Sequence, residues 1–265
     1  MRVLDIKLFH DLKRLWAQAL AIALVVAGGV ATLVLAVGSY RSLQETRVAY
    51  YERYQFADVF ASVKRAPKML IGQIAEIPGV AVVEARIVKF AQLDIRDFRE
   101  PVTAQFISLP DSGQPVLNRL YMRSGRMPEP GQADEVVVSE GFAQTHAMVP
   151  GSHFSAILNG RKRDLIIVGI AFSPEFIYSI GPGDRIPDER RFAIVWMPEK
   201  ALASAYNLDG AFSSVSLRLL HGASEREVTR QLDTLLDRLA DRPLTATRTR
   251  SRTRISTMGL TCLRT

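Results

Sequence analysis

Hydrophobic and polar positions divide the chain into two regimes. From Leu15 to Tyr40 (LWAQALAIALVVAGGVATLVLAVGSY) no charged residue occurs, and an apolar run beyond roughly 18 residues is read as a transmembrane helix. At about 1.5 Å rise per residue this run reaches roughly 39 Å, enough to cross a hydrocarbon core of about 30 Å with some tilt. Trp16 and Tyr40 lie near its ends, where amphipathic rings favour the headgroup layer. Ahead of it, Val3, Leu4, Leu8, Leu12 and Leu15 recur near helical spacing while Asp5, Lys7, Asp11 and Lys13 fall elsewhere, which predicts an amphipathic helix over 1–14. Such a segment either lies in the membrane interface or forms the first turns of one continuous helix. Behind the run, Arg41 to Tyr54 holds no Gly or Pro, and Leu43, Val48 and Tyr51 alternate with Gln44, Glu45, Arg47 and Glu52. This predicts a stalk helix over 41–56, polar enough all round to need a neighbour.

Past the stalk the period changes. Ala57 to Val63 is strand-like. Pro67 to Ile77 puts Leu70, Ile74 and Ile77 on one helical face, with Pro67 suited to a first helical position and Pro78-Gly79 as the stop. Val80 to Ile95 is a long β-like run, and Pro101 to Leu109 alternates Val102, Ala104 and Phe106 with Thr103 and Gln105. The β-α-β-β order over 57–110 opens a split βαβ unit, a sheet with helices on one face.

A zone rich in Gly and Pro comes next at Ser124-Gly125, Pro128 and Pro130-Gly131, after which Glu135 to Val138 resumes a strand. Ser139 is placed to N-cap a short helix. Ser155 to Leu158, Asn159-Gly160 and Leu165 to Ala171 read as a hairpin, because Asn-Gly supplies the two positive φ angles of a type I′ turn. Phe192 to Met197 is a further strand, and Pro198 opens a short helix. Then Val215, Leu217 and Leu219 alternate with Ser214, Ser216 and Arg218. Ser224-x-x-Glu227 is a capping box, and Val228, Leu232, Leu235, Leu236 and Leu239 line one helix face. A βα pair over 212–241 thus completes the split βαβ unit, with a β-rich unit over 111–211 inserted. The fold class is α+β. One more strand is needed to finish the sheet, but the residues after the helix are Pro243 and a Thr/Arg alternation with no apolar face to bury.

Charge bears on the same tail. The formal net charge is +7, but Arg242, Arg248, Arg250, Arg252, Arg254 and Arg264 fall in the last stretch with no acid after Asp241, and without them it is +1. The folded part therefore has no basic footprint for nucleic acid. Cys262, the single cysteine, also lies there, so no intrachain disulfide forms; this is compatible with a bacterial periplasm. Residues 242–265 are expected to lie outside the native fold, as the product of a shifted reading frame, or else to form a basic tail that binds anionic lipid or another acidic surface. A cleaved signal peptide, with Ala36-Val37-Gly38 as its cleavage site, is the alternative to a retained anchor; signal h-regions run about 7–15 residues, and this apolar run is longer. Arg2, Lys7, Lys13 and Arg14 before the span face Arg41, Arg47 and Arg53 after it, a slight bias toward an N-terminus inside.

Motifs for chemistry are not found. No G-x-x-x-x-G-K-[ST] occurs, so the chain carries no P-loop ATP site of its own. Gly181-Pro182-Gly183 is too short for a dinucleotide fingerprint. His10, His146, His153 and His221 are scattered without cysteine or paired carboxylates. Gly-x-Ser-x-Gly is absent around Ser139, where Val137 stands in the first glycine position. Asp184, Asp188 and Glu189 are interspersed with Arg185, Arg190 and Arg191, as in a solvated loop. No catalytic, cofactor-binding or metal-ligating residue is expected, and the chain is not read as an enzyme. In the apolar run, Ala27, Gly28, Ala31 and Thr32 place small residues at i, i+4 spacing, so a second helix could approach closely; chance in an Ala/Val/Gly-rich span explains them equally well.

One apolar span, a stalk, then Asp134-Glu135-Val136-Val137-Val138-Ser139-Glu140, Phe142-Ala143, Pro150-Gly151, Val168-Gly169-Ile170, Ser173-Pro174-Glu175-Phe176-Ile177-Tyr178 and Trp196-Met197-Pro198 resemble the FtsX-like permeases of ABC transporters. That group includes the MacB macrolide exporters and the lipoprotein-releasing permeases. The resemblance covers roughly residues 1–240 and implies a periplasmic domain of two parts, a split βαβ (porter-like) unit and an inserted β-rich unit. It also implies a separate or fused ATPase as partner, a homo- or heterodimer with a permease, location in the cell inner membrane, and no catalytic residues. Family members carry three more spans after this domain, which this sequence does not, so it departs from the pattern as a truncated form would. Two readings stand. One is a permease subunit that couples ATP hydrolysis by a partner to movement of the periplasmic domain. The other is a single-pass anchored periplasmic adaptor or binding module without transport activity.

Overall fold

The computed structural model describes residues 16, 18, 20–42, 54–96, 98–111, 113–176, 181–182, 186–240 and 248–251. Helix α1, Leu20–Ser42, falls within the charge-free run and extends two residues past it, with every side chain exposed. Its 23 residues are long and apolar enough to cross a bilayer. The expected helix over 1–14 and residues 43–53 of the stalk lie outside the described residues. The stalk does not continue as a helix to 56: Tyr54 and Gln55 form a turn, with Gln55 at φ 52°. A left-handed residue cannot extend a right-handed helix. The carbonyls of Tyr54 and Gln55 instead accept the N–H groups of Arg119 and Asn118, each at 3.0 Å.

Residues from Tyr54 onward build two sheets. The first contains β1 (Val59–Pro67), β2 (Val80–Arg86), β10 (Ala211–Leu219) and β11 (Arg248–Ser251) in the order β11-β1-β10-β2, all neighbours antiparallel. Period-two alternation puts Val59, Ala61, Val215 and Leu217 on one face. There they pack against Leu70 and Ile74 of α2 (Leu70–Ala75) and Val228, Leu232 and Leu236 of α5 (Glu225–Ala240).

Three expectations change here. Pro67 does not open α2; it ends β1 opposite Ala211, at a ladder end where its missing N–H is no loss. The capping box of α5 is half made: Glu227 N–H reaches Ser224 Oγ at 3.4 Å, while the Glu227 carboxylate turns to Arg230 and Gln231. The third concerns the tail. Arg248–Ser251, expected to lie outside the fold, supplies the closing strand, in register from Val59↔Ser251 to Ser62↔Arg248. An edge strand is held by backbone hydrogen bonds to one neighbour, so it forms without the apolar face that a central strand needs.

The long β-like run from Val80 breaks at Ile87, and the chain leaves the first sheet there rather than near residue 110. β3 (Val88–Asp94) joins β4 (Val102–Leu109), β5 (Tyr121–Gly125), β6 (Glu135–Ser139), β7 (His153–Leu158), β8 (Arg161–Phe172) and β9 (Phe192–Pro198) in a second sheet. Its order is β5-β8-β6-β9-β4-β3-β7, and a β8–β7 pairing closes it into a ring with β5 outside. Long β8 makes closure possible. Residues 161–166 pair with β7, and from Ile166 onward the strand pairs with β6 and β5. The β7–β8 turn is the expected Asn159-Gly160, at φ 50° and 78°. Among the described strands only β4–β9 and β6–β8 pair in parallel.

β9 is buried on both faces: Ala193, Val195 and Met197 face the ring core with Phe106, Val136 and Leu165. Phe192, Ile194 and Trp196 pack outside with Ile107, Leu109 and Val137. Short helices α3 (Glu140–Thr145) and α4 (Glu199–Tyr206) come directly after β6 and β9. Ser139 precedes α3 as expected, but its hydroxyl makes no cap and instead accepts the Ile194 N–H at 3.4 Å.

Candidate functional site

The second face of the four-stranded sheet reads as a solvent face, since Ser214 and Ser216 alternate with Val215 and Leu217. The structure buries it. Ser214 is 4% and Ser216 1% exposed, and in register beside them stand Glu84 and Arg86 of β2. Burying such groups is costly unless each finds a partner; Glu84 and Arg86 find theirs on two loops, while Ser216 Oγ and Arg86 Nε have none among the described residues.

Arg86 and Glu175 form the centre. Glu175 lies in a 3-10 turn, Pro174–Phe176, and its carboxylate meets the guanidinium in a two-pronged pair, Nη1 to Oε2 at 2.6 Å and Nη2 to Oε1. Both side chains are 12% exposed. Burial acts to lower the Arg86 pKa, but the charge and hydrogen bonds of Glu175 outweigh it and hold the pKa above its ordinary value. Arg86 is therefore charged at any physiological pH. Its guanidinium also lies 5.9 Å from the centre of the Phe60 ring, within cation–π range.

Asn118, 4% exposed, ties the pair to the start of the domain. Its φ of 52° suits asparagine better than most residues. The side-chain amide donates to Glu175 Oε2 at 3.2 Å, while Oδ1 accepts the Ala57 N–H at 3.0 Å. Glu84 accepts from the N–H groups of Val116 (3.0 Å) and Leu117 (2.7 Å). Burial raises the Glu84 pKa above 4.5, against the opposing pull of those N–H groups and of Arg86. Nearby, Asp58 accepts the Leu219 N–H at 2.9 Å and Arg218 bonds Gln55.

This cluster has the chemistry of a clasp. It holds four chain segments by charge-assisted hydrogen bonds and presents no paired nucleophile and base. Among the described residues no group of three or more His, Cys, Asp or Glu is placed to hold a metal ion. His146 meets Phe98 edge-on and lies tilted against Phe142, and contacts the Arg190 carbonyl at 2.9 Å; His153 starts β7. Asp188 is occupied by Arg191 at 2.8 Å and the Arg190 N–H at 3.0 Å. Ala27, Gly28, Ala31 and Thr32 all lie exposed on α1, with open space where a Gly28 Cβ would stand. The Thr32 hydroxyl donates to the Gly28 carbonyl at 2.9 Å.

Nothing in the sequence marks the residues of the clasp as partners, although Glu175 lies in one of the segments that carry the family resemblance. Glu84 and Arg86 read as two polar positions in a strand, and the carboxylate that pairs with Arg86 is 89 residues away.

No protein-family model and no curated protein matches the sequence. Among solved structures, the periplasmic region of MacB from Actinobacillus actinomycetemcomitans is similar, with TM-score 0.45 and 11% identity over 83% of this chain and 99% of that one. The extracellular domain of the noncanonic ABC-type transporter YknZ from Gram-positive bacteria gives TM-score 0.43 and 15% identity over 68% and 94%. A domain of a protein described as a permease, from Porphyromonas gingivalis, gives TM-score 0.39 and 15% identity over 74% and 91%.

Removing one member of a buried ion pair leaves the other charge unpaired, at a cost of about 3–5 kcal/mol. Arg86→Met and Glu175→Met should each destabilise the full chain by that order, and the double variant should lose clearly less than the sum. Urea unfolding in detergent micelles checks this; additive losses would mean the two side chains do not act as a pair.

Glu84 gives a pH prediction. Its folded pKa is raised above 4.5, so the folded form holds the proton more tightly than the unfolded chain. That contribution is full below the unfolded pKa and is lost as pH rises through the folded one. Glu84→Gln does not titrate. The stability of wild type relative to Glu84→Gln should therefore fall with rising pH from about 4.5 upward, and a pH-independent difference would contradict the assignment.

Proposed function

We propose that this chain is the first membrane helix and extracytoplasmic domain of an FtsX-like ABC transporter permease subunit. One observation carries the reading. The four-stranded sheet is assembled from both ends of the domain, β1 and β2 before the ring-forming strands and β10 and β11 after them, downstream of a 23-residue apolar helix. The order β11-β1-β10-β2 with α2 and α5 on one face supports a split βαβ (porter-like) unit, now delimited as roughly 57–86 and 211–251, with the β-rich unit inserted between. The sequence resemblance noted for Asp134–Glu140, Ser173–Tyr178 and Trp196–Pro198 supports the same family.

In this role the N-terminus lies in the cytoplasm and the sheet domain outside it, anchored to the inner membrane. An ATPase partner hydrolyses ATP, and the domain moves in response to export or extract a substrate. Ala27, Gly28, Ala31 and Thr32 form the face on which a neighbouring permease helix packs, because small side chains let two backbones approach.

Two measurements test this. A reporter that works only in the cytoplasm, fused near Pro182, should be silent, and activity there would overturn the topology. The full chain, extracted from its native membranes, should bring with it a complex that hydrolyses ATP, and Gly28→Leu should weaken that association. A chain recovered without hydrolysis would favour the anchored adaptor instead. Association indifferent to the Leu side chain would leave the small residues as mere composition.

A further inference from the structure

A second polar concavity lies one wall away from the clasp. Ser173 and Trp196 border both the space around Arg86 and an open cleft of about 350 Å³. That volume falls in the range of small-ligand pockets, roughly 300–1,000 Å³. Three aromatic side chains line it. Trp196 contributes from β9, Phe172 ends β8, and Phe176 comes directly after Glu175, with its ring centre 6.3 Å from that of Trp196 at 65°. Glu140 and Glu189 make it acidic, and among the described residues no basic side chain lines the cleft.

The two carboxylates differ in a way that matters. Glu140 is engaged, its Oε2 by Arg123 at 3.0 Å and its Oε1 by Gln144 at 3.2 Å. Glu189 has no hydrogen bond or ion pair among the described residues. Its carboxylate lies directly over Gly141, where any Cβ would collide with it. Glycine at 141 therefore lets an unpaired carboxylate sit at the cleft instead of being pushed off it.

A carboxylate with no partner, beside aromatic side chains and with no cation lining the cleft among the described residues, fits one class of ligand. Aromatic faces attract cations through the negative face of the ring, and the carboxylate supplies the counter-charge. We propose that the cleft binds a small organic cation, a primary ammonium or guanidinium on an apolar body, with the charged head at Glu189 and the body against Phe172 and Phe176, which are half-buried; Trp196 lies behind them, nearly fully buried. This goes beyond the permease reading and does not depend on it, since binding requires neither an ATPase nor a second subunit.

The test uses the full chain in detergent micelles. Trp16 and Trp196 are its two tryptophans, so a Trp16→Phe background makes the fluorescence report on Trp196 alone. The probes are 2-phenylethylammonium, neutral 2-phenylethanol and anionic phenylacetate, which share one aromatic body and differ in charge. The ammonium should perturb Trp196 and bind about tenfold more tightly than the alcohol, with phenylacetate weaker still. Glu189→Gln should abolish that preference without changing the thermal midpoint, and Gly141→Ala, which displaces the carboxylate, should weaken the ammonium in the same direction. Equal binding of ammonium and alcohol would overturn the proposal, as would a preference that survives Glu189→Gln, or no ammonium binding at roughly 10 mM.

Discussion

The Arg86–Glu175 pair is the constraint on which the domain depends, because it lets a polar sheet face be buried. One side of the four-stranded sheet is ordinary, with aliphatic side chains under two helices. The other carries Ser214, Ser216, Glu84 and Arg86, a composition suited to water. Covering that face with loops removes the water, so each polar group needs a partner inside the protein. Glu175 neutralises Arg86, Asn118 uses the remaining capacity of Glu175, and two loop N–H groups satisfy Glu84, which leaves only Arg86 Nε and Ser216 Oγ of this face without a partner among the described residues. A purely apolar cover could bind this face nowhere near as well. The match is also selective, because a loop lacking a carboxylate at the position of Glu175 would strand a buried cation.

The same requirement governs the point where the chain changes sheets. At Ile87 and Val88 the backbone turns from β10 toward β4, and strand switching breaks the regular ladder. Two serines take up the groups involved. Ser108 Oγ accepts the Ile87 N–H at 2.8 Å, and the Ser108 N–H donates to the Ile87 carbonyl at 2.9 Å. Ser213 Oγ accepts the Val88 N–H at 2.8 Å and donates to its carbonyl at 3.0 Å. Ser108 and Ser213 are buried, at 5% and 4% exposure, in strands whose other residues are mostly apolar. They are there because the switch leaves donors and acceptors that no strand partner meets.

What is legible in the sequence is local. The apolar run forms α1, Asn159-Gly160 forms the turn between β7 and β8, and the leucine stripe of α5 faces the first sheet, because each depends on spacing within a few residues. What stays hidden is where segments meet. Val80 to Ile95 reads as one β run because both halves alternate normally; the break at Ile87 is set by Ser108 and Ser213, residues far along the chain. The tail misleads for a related reason. Its Thr/Arg alternation offers no side-chain burial, but Arg248–Ser251 needs only the free backbone edge of β1. Ser139 is a sound N-cap by type and place, yet its hydroxyl is drawn to the N–H of Ile194 on a neighbouring strand.

Chain connectivity puts the clasp close to the start of the domain. Residues 43–53 are the only covalent link between α1 and the sheet domain, and the domain begins where that link delivers the chain, at 54–58. Those residues are unusually well held: the carbonyls of 54 and 55, the Ala57 N–H and the Asp58 carboxylate are all engaged. Asn118 bonds Gln55, Ala57 and Glu175 at once. A pull on residues 54–58 therefore cannot be absorbed locally. It must either break several hydrogen bonds together, each worth about 0.5–1.5 kcal/mol net and more where a charge takes part, or move the loop carrying Asn118 and, with it, the turn carrying Glu175. The start of the domain and the buried Arg86–Glu175 pair are thus tied through one residue, Asn118, and neither can be loosened without disturbing the other.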